Sequence, residues 1–171
     1  MEEEKQPVSE VGSDAYDSSD KPFDFVGEDA ETALICESDP AMKEKISTAM
    51  KTLGYQITES TTARDALKSM RFHVYNVIIV NENFDAADQA GNAVLSYLAN
   101  LNMSTRRQIF VALVTNQLRT SDNMAAFNKS VNLIVNTANI DDAGAIIKRG
   151  VADNNAFYHV FKETLRKKGK I

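Results

Sequence analysis

The sequence predicts an α/β fold in which a five-stranded, doubly wound parallel sheet is covered by helices on both faces. The first observation is the run Val77-Ile78-Ile79-Val80, which is apolar, β-favouring and uncharged, as expected of a strand buried on both faces. Similar apolar runs occupy residues 33–36 and 109–115, and apolar residues at helical spacing lie between them. Strands that alternate with helices form a parallel sheet through right-handed crossovers.

The charge of the chain is divided unevenly. Residues 1–31 contain eleven acidic residues and two lysines, a net charge of −9, whereas residues 32–171 carry a net charge of +4. Because apolar residues are sparse in the first segment, we predict that it is an acidic disordered tail or linker. Phe23, Phe25 and Val26 are its only apolar cluster, and they are a candidate motif for docking onto a partner or onto the domain itself.

Several kinds of chemistry lack their sequence signatures. The single cysteine, Cys36, excludes an internal disulfide and a cysteine-rich zinc site, and its apolar surroundings predict burial. The chain has no GxGxxG or GxxxxGK phosphate cradle and no GxSxG elbow, and His73 and His159 have no metal-binding spacing. We therefore predict no enzymatic activity, no cofactor and no metal.

Basic and apolar patterns also limit the partners. Arg106 and Arg107 are not accompanied by a helix-turn-helix signature or by interleaved aromatic residues, so no nucleic-acid binding is expected. No apolar segment follows a basic start as in a signal peptide, and no apolar run approaches the roughly 20 residues that a membrane span needs. We therefore expect a cytoplasmic protein with no membrane contact.

Local signals place the first two strands and helices. Residues 33–36 form the first strand, and Asp39 marks the start of a helix that Gly54 ends. Residues 55–59 alternate apolar with polar side chains, as a half-covered strand does. Thr62 opens a capping-box pattern that predicts the second helix.

The second half of the chain continues this alternation. A loop at residues 84–88 follows the central strand, and apolar spacing predicts a helix over residues 94–101. Residues 109–115 form the fourth strand, Ser121 caps the next helix, and residues 131–135 form the last strand. The expected strand order is 2-1-3-4-5, the flavodoxin-like arrangement.

The C-terminal region is longer than this pattern needs. Apolar residues keep a helical spacing across residues 141–168, which predicts an extended helical segment. We expect two helices with a break at Gly150 or at the pair Asn154-Asn155, and the alternative is one continuous helix.

Four strand ends and one turn carry a family resemblance. These pieces are Ala33-Leu34-Ile35-Cys36-Glu37-Ser38-Asp39-Pro40, Leu53-Gly54-Tyr55, the central strand, Val114-Thr115 and Leu133-Ile134-Val135-Asn136. In this order and spacing they resemble a response-regulator receiver domain of the CheY-like family. The resemblance covers residues 32 to about 150, which divides the chain into the tail at 1–31, a receiver-like domain at 32–150 and a helical extension at 151–171. The extension is expected to pack on the domain or to project from it.

The resemblance implies a phosphoryl-accepting site at which three positions are changed. In that family an acidic pair after strand one binds Mg²⁺, an Asp at the end of strand three accepts the phosphoryl group, and a Thr or Ser and a Lys end strands four and five. The corresponding residues here are Glu37 with Ser38, then Asn81, Thr115 and Asn136. Because an amide cannot form an acyl phosphate, we infer a degenerate pseudo-receiver that lacks the phospho-acceptor Asp.

No other residue is expected to replace Asn81. Glu82 should point to the opposite side of the strand if regular strand geometry continues, and Asp85 lies in the following loop. We expect the neutral amides at this edge to hydrogen-bond one another and to hold the crevice in one state without a cation. These amides are Asn81, Asn83, Asn116 and Asn136.

The expected function is that of a non-phosphorylatable, receiver-like protein-interaction module in bacterial signal transduction. Its partner would be another protein or a second copy of the chain. The resemblance puts the interaction surface on the helix before the last strand, on that strand and on the helices after it. The candidate residues are Met124, Phe127, Phe157, Tyr158 and Phe161, although the last three could instead cover the domain's own core. The alternative is an α/β ligand-binding protein that uses the amide-rich crevice for a small neutral or anionic molecule.

Overall fold

Five parallel strands form the sheet of the computed structural model, which describes residues 30–86 and 91–170. They are β1 Thr32–Cys36, β2 Gln56–Ser60, β3 Val77–Asn81, β4 Phe110–Thr115 and β5 Leu133–Asn136. The strand order is β2-β1-β3-β4-β5, which confirms the predicted topology. The expected tail, with its aromatic cluster, lies outside the described residues apart from Ala30 and Glu31.

Helices fill the connections between the strands. They are α1 Pro40–Thr52, α2 Ala63–Phe72, α3 Ala93–Ala99, α4 Met103–Arg106 and α5 Asn123–Asn128, then a 3₁₀ helix at Thr137–Asp142, α6 Ala143–Phe157 and α7 His159–Lys167. The predicted N-caps of α1 and α2 are confirmed, because Asp39 accepts from the Met42 N–H at 2.9 Å and Thr62 accepts from the Asp65 N–H at 3.1 Å. Within the described ranges, no helix has both the length and the apolarity needed to cross a membrane.

The start of α5 differs from the prediction. Asp122, and not Ser121, caps this helix by accepting from the Ala125 N–H at 2.9 Å. Ser121 has a positive φ of 60°, and its N–H donates to the Ile134 carbonyl of β5 at 2.9 Å. The prediction of Ser121 as the cap is wrong because this contact with a distant strand holds its backbone in the turn before the helix.

Two hydrophobic clusters cover the opposite faces of the sheet. Ile78 and Val80 of β3 pack in the cluster that includes α2, α3 and α5, whereas Val77 and Ile79 pack in the cluster that includes α1 and α6. β1, β3 and β4 are buried along their whole length as a result. Cys36 is buried as predicted, and burial raises the pKa of its thiol to about 12.

The C-terminal segment consists of two helices, but they meet at an unexpected place. α6 continues through Gly150 and the pair Asn154-Asn155, and the chain breaks at Tyr158, after which α7 begins. The expected break points are wrong because Gly150 is a contact residue: a Cβ on it would lie 2.9 Å from Cζ of Phe110 in the sheet. The domain boundary drawn at residue 150 therefore falls inside α6.

Candidate functional site

The carboxyl ends of the central strands bring three polar side chains to one edge of the sheet. Glu37 follows β1, Asn81 ends β3 and Thr115 ends β4. The strand register aligns them, since Cys36 pairs with Val80 and Asn81 pairs with Val114. Their exposed fractions are only 2%, 9% and 2%, respectively. Buried polar groups of this kind must find partners within the protein.

Glu37 and Asn81 satisfy each other at the centre of this crevice. Asn81 Nδ2 donates to Glu37 Oε2 at 2.7 Å, and the Asp39 N–H donates to Glu37 Oε1 at 2.9 Å. Both carboxylate oxygens of the buried Glu37 therefore accept a hydrogen bond. An amide can make this contact because it carries a donor, whereas a second carboxylate at position 81 would repel the first.

The remaining polar atoms of Asn81 hold the chain that follows β3. Its Oδ1 accepts from the Asn83 N–H at 2.9 Å, and its backbone carbonyl accepts from Asn92 Nδ2 at 2.9 Å. Asn92 also caps α3 through the Val94 N–H at 3.0 Å. The sequence interpretation missed Asn92, although an Asn directly before an apolar helical run is a recognisable N-cap signal.

Glu82 takes part in the crevice through Thr115 and does not replace Asn81, whose side chain bonds Glu37 instead. The strand pairing extends one residue past Asn81, because the Glu82 N–H donates to the Val114 carbonyl at 2.8 Å, and this register places Glu82 beside Thr115. A turn then follows, in which the Phe84 N–H donates to the Asn81 carbonyl at 3.0 Å. Glu82 Oε2 accepts a hydrogen bond from the Thr115 hydroxyl, and Glu82 Oε1 lies 3.0 Å from Lys129 Nζ. The Thr115 hydroxyl and then the Lys129 ammonium hold the pKa of Glu82 below its usual range, although burial acts in the opposite direction.

Lys129 supplies a positive charge that the sequence interpretation did not place here. It is the C-cap of α5, so it reaches the crevice from a helix end and not from the end of a strand. Lys129 and Glu82 are 47 residues apart in sequence. No local pattern signals such a contact.

The side chain of Asn136 forms hydrogen bonds with backbone groups and not with the other amides. Its Nδ2 donates to the Leu118 carbonyl at 2.7 Å, and its Oδ1 accepts from the Ala138 N–H at 2.9 Å. The prediction that the amides at this edge bond one another is therefore wrong: within residues 30–86 and 91–170, no side-chain-to-side-chain hydrogen bond joins two of them. Asn81 bonds a carboxylate, Asn136 bonds backbone groups, and Ser38, Asn83 and Asn116 are exposed.

Comparison with solved structures identifies the fold. The receiver domain of Francisella response regulator 1452 is 15% identical, with a TM-score of 0.57 over 72% of this chain and 98% of that one. The chemotaxis response regulator CheY4 of Vibrio cholerae is 12% identical, with a TM-score of 0.57 over 71% and 98% of the two chains. An orphan response regulator of H. pylori is 15% identical, with a TM-score of 0.53 over 71% and 96%.

The fold is that of a response-regulator receiver domain. No family model matches the sequence, and no curated protein matches it either. The likeness therefore concerns the course of the backbone, and the chemistry of the crevice has to be judged from the side chains themselves.

Two exposed apolar side chains lie on α5 of this receiver fold. Met124 and Phe127 are 69% and 77% exposed. Phe127 also lines a groove of about 280 Å³ together with Leu101, Met103 and Tyr158. Exposed apolar side chains beside a groove are a feature of binding surfaces.

The three aromatic candidates near the α6–α7 junction do not behave alike. Phe157 is 80% exposed, whereas Tyr158 and Phe161 are partly buried. The guanidinium carbon of Arg107 lies 5.4 Å from the centre of the Phe161 ring, which is cation–π distance. Tyr158 and Phe161 thus pack on the domain, and Phe157 faces outward.

The two histidines lie away from the crevice. His73 Nε2 is 2.8 Å from the Thr32 hydroxyl oxygen at the start of β1, and burial lowers the pKa of this histidine. His159 Nε2 is 3.7 Å from Glu163 Oε1 on α7. Among the described residues, no group of three or more His, Cys, Asp or Glu side chains is arranged to hold a metal ion.

Proposed function

We propose that this chain is a receiver-like protein-interaction module of signal transduction that does not accept a phosphoryl group. The observation that carries the proposal is the 2.7 Å hydrogen bond from Asn81 Nδ2 to Glu37 Oε2. A phosphoryl acceptor at this position needs a carboxylate oxygen as the nucleophile. Asn81 offers an amide nitrogen whose lone pair is delocalised and one of whose N–H groups is already donated.

The contacts of Glu82 support the same conclusion. Thr115 carries a hydroxyl and Lys129 an ammonium, and groups of these two kinds can bind the oxygens of a phosphoryl group. Both are occupied by the Glu82 carboxylate. Position 81 therefore offers no carboxylate nucleophile, and the Thr115 and Lys129 donors already bind the Glu82 carboxylate.

The hydrogen bonds of the side-chain amides argue against ligand binding by the crevice. The side-chain amides of Asn81 and Asn136 make 2.7 Å hydrogen bonds to Glu37 and to the Leu118 carbonyl. A ligand would have to break these bonds before it could use either amide, and leaving a buried group such as the Asn81 amide unpaired costs about 1–3 kcal/mol. This favours the interaction module over the ligand-binding alternative.

The surface that we propose for the partner is the exposed face of α5 with the adjoining groove. Met and aromatic side chains at the centre of a patch and Arg at its rim are typical of protein-binding surfaces. Met124 and Phe127 supply the first kind, and Arg107 lines the same groove as Phe127. The partner would present apolar side chains flanked by acidic ones.

The absence of phosphoryl transfer can be tested by mass spectrometry. We expect no gain of about 80 Da after incubation with acetyl phosphate and Mg²⁺, because no carboxylate occupies position 81. A singly phosphorylated product that disappears in Asn81→Ala would overturn this part of the proposal.

The interaction surface needs a separate test. We expect the double variant Met124→Ser and Phe127→Ser to lose a partner that co-purifies with the wild-type chain from its native host. Val160→Ser is a matched control, because Val160 is 74% exposed but lies on α7. Loss of the partner in the control alone, or in neither protein, would contradict this surface.

A further inference from the structure

A second groove lies at the amino ends of the strands, which is the edge of the sheet opposite to the crevice. Its volume is about 460 Å³, and α7 forms one wall. Val74 and Tyr75, just before β3, contribute apolar surface, and Val74 is 47% exposed. His159, Lys162 and Arg166 line the groove from α7.

The α7 wall is basic and incompletely neutralised. Residues 159–170 contain five Lys and Arg residues and a single acid, Glu163. Lys162 Nζ donates to Asn155 Oδ1 at 2.7 Å, which is a neutral partner. Within the described parts of the chain, neither Lys162 nor Arg166 has a carboxylate within ion-pair distance, although the charge of Glu31 acts on Lys162 from farther away.

The chain enters the fold at this groove. Glu31 immediately precedes β1 and is itself a lining residue. The residues before it, 1–29, contain ten acids and two lysines, a net charge of −8. The charge of this segment is therefore complementary to that of α7, and the chain tethers the two beside each other.

The length of the segment also suits the groove. Phe25 and Glu31 are six positions apart, so an extended chain between them reaches about 20 Å. His159 and Arg166 are seven residues apart on α7, or about 10 Å. This length allows Phe23 and Phe25 to contact the apolar wall with Asp24, Glu28 and Asp29 within reach of the cations.

We propose that residues 20–29 bind in cis in this groove, with Phe23 and Phe25 on Val74 and Tyr75 and the acids beside Lys162 and Arg166. The bound segment neutralises the basic face of α7 and keeps it from other acidic ligands. Because the acids and cations are near the surface, their attraction weakens as salt concentration rises. The segment thus covers the basic face of α7, and less of it is bound as the salt concentration rises.

Paramagnetic relaxation tests this docking in the full chain. A nitroxide attached to Gly27→Cys labels one site, because the native Cys36 is fully buried and its thiol pKa is about 12. We expect broadening of the amide signals of residues 159–166, unchanged by tenfold dilution. Absence of broadening there would overturn the proposal.

A mixed sample separates docking in cis from docking on a second copy. Spin-labelled protein without ¹⁵N is combined with ¹⁵N protein that carries no label. We expect no broadening in this mixture. Broadening would show that the segment binds another molecule, which overturns docking in cis.

Charge reversal tests whether the groove itself is the site. We expect the spin-labelled double variant Lys162→Glu and Arg166→Glu to lose most of the broadening. Lys168→Glu with Lys170→Glu makes the same change in net charge outside the groove and should retain it. An equal loss in both variants would indicate nonspecific attraction and overturn the proposed site.

Discussion

At the scale of single residues, the crevice depends on the identity of one side-chain group. Asn81 differs from aspartate only by an NH₂ in place of an oxygen, yet this group supplies the donor for the buried Glu37. With the amide present, the pair is a charge-assisted hydrogen bond. With a carboxylate it would be two like charges at buried positions.

We therefore expect Asn81→Asp to lower the free energy of unfolding by about 1–3 kcal/mol in EDTA, measured by urea denaturation. Mg²⁺ should restore part of the loss in this variant, because two carboxylates can share a divalent cation. Asn83→Asp is the control, since Asn83 is exposed and the same change there should cost less than about 0.5 kcal/mol. Equal stability of Asn81→Asp and wild type in EDTA would contradict the role given to the amide.

We expect the stability of the folded protein to depend on pH through Glu82. Its pKa is lowered in the folded state, chiefly by the Thr115 hydroxyl, so its contribution is fully present above the ordinary value of 4.5 and is lost as pH falls through the lowered pKa. We expect Glu82→Gln to lose about 1–2 kcal/mol at pH 7. The unfolding free energies of variant and wild type should converge toward pH 3. A constant difference from pH 7 to pH 3 would show that the charge of Glu82 is not responsible.

At the scale of elements, α6 illustrates how packing overrides a local signal. Glycine lowers helix propensity by about 1 kcal/mol relative to alanine, which made Gly150 a reasonable break point. The helix continues instead, because the missing side chain lets α6 approach the sheet. The helix ends instead before Tyr158, whose side chain lines the groove beside Phe127 of α5.

Gly150→Ala tests this close approach. The new Cβ would lie 2.9 Å from Phe110 Cζ and 3.2 Å from Leu133 Cδ2, both in buried side chains. Overpacking of about 1–3 kcal/mol should exceed the gain of about 1 kcal/mol in helix propensity, so we expect a lower melting temperature. Ala152→Gly, at an exposed position of α6, measures the propensity term alone. A more stable Gly150→Ala protein would show that α6 has room to move.

At the scale of the whole molecule, the central strand joins two hydrophobic layers. Ile78 and Ile79 are neighbours in sequence and are both almost fully buried, but they belong to clusters on opposite faces of the sheet. Each layer of helices therefore packs on the same strand. This arrangement favours unfolding as one cooperative unit.

We expect Ile78→Ala and Ile79→Ala each to lower the free energy of unfolding by about 2–5 kcal/mol. Both variants should retain a single transition with coincident near- and far-ultraviolet circular dichroism. These two variants control each other, because the chemical change is the same and only the face differs. A second transition in either protein would show that the two layers unfold separately.

The sheet could be predicted from the sequence to a large extent. Short apolar runs such as 77–80 and the cap at Asp39 are local signals, and right-handed crossovers then leave few possible topologies. The crevice was predictable only in part. The strand ends Glu37, Asn81 and Thr115 follow from the topology, but the contact of Lys129 with Glu82 comes from a helix end that no strand pattern places there.

By itself, the sequence determined the five strands, the longer helices between them and the neutral character of position 81, because these depend on side-chain chemistry and on periodicity over a few residues. Only the tertiary structure decided that Glu82 meets Thr115 and Lys129, at sequence separations of 33 and 47 residues. It also decided that Gly150 continues a helix. The physical reason is the same in both cases: the energy of such a contact depends on where a distant part of the chain packs, and no local pattern records that position.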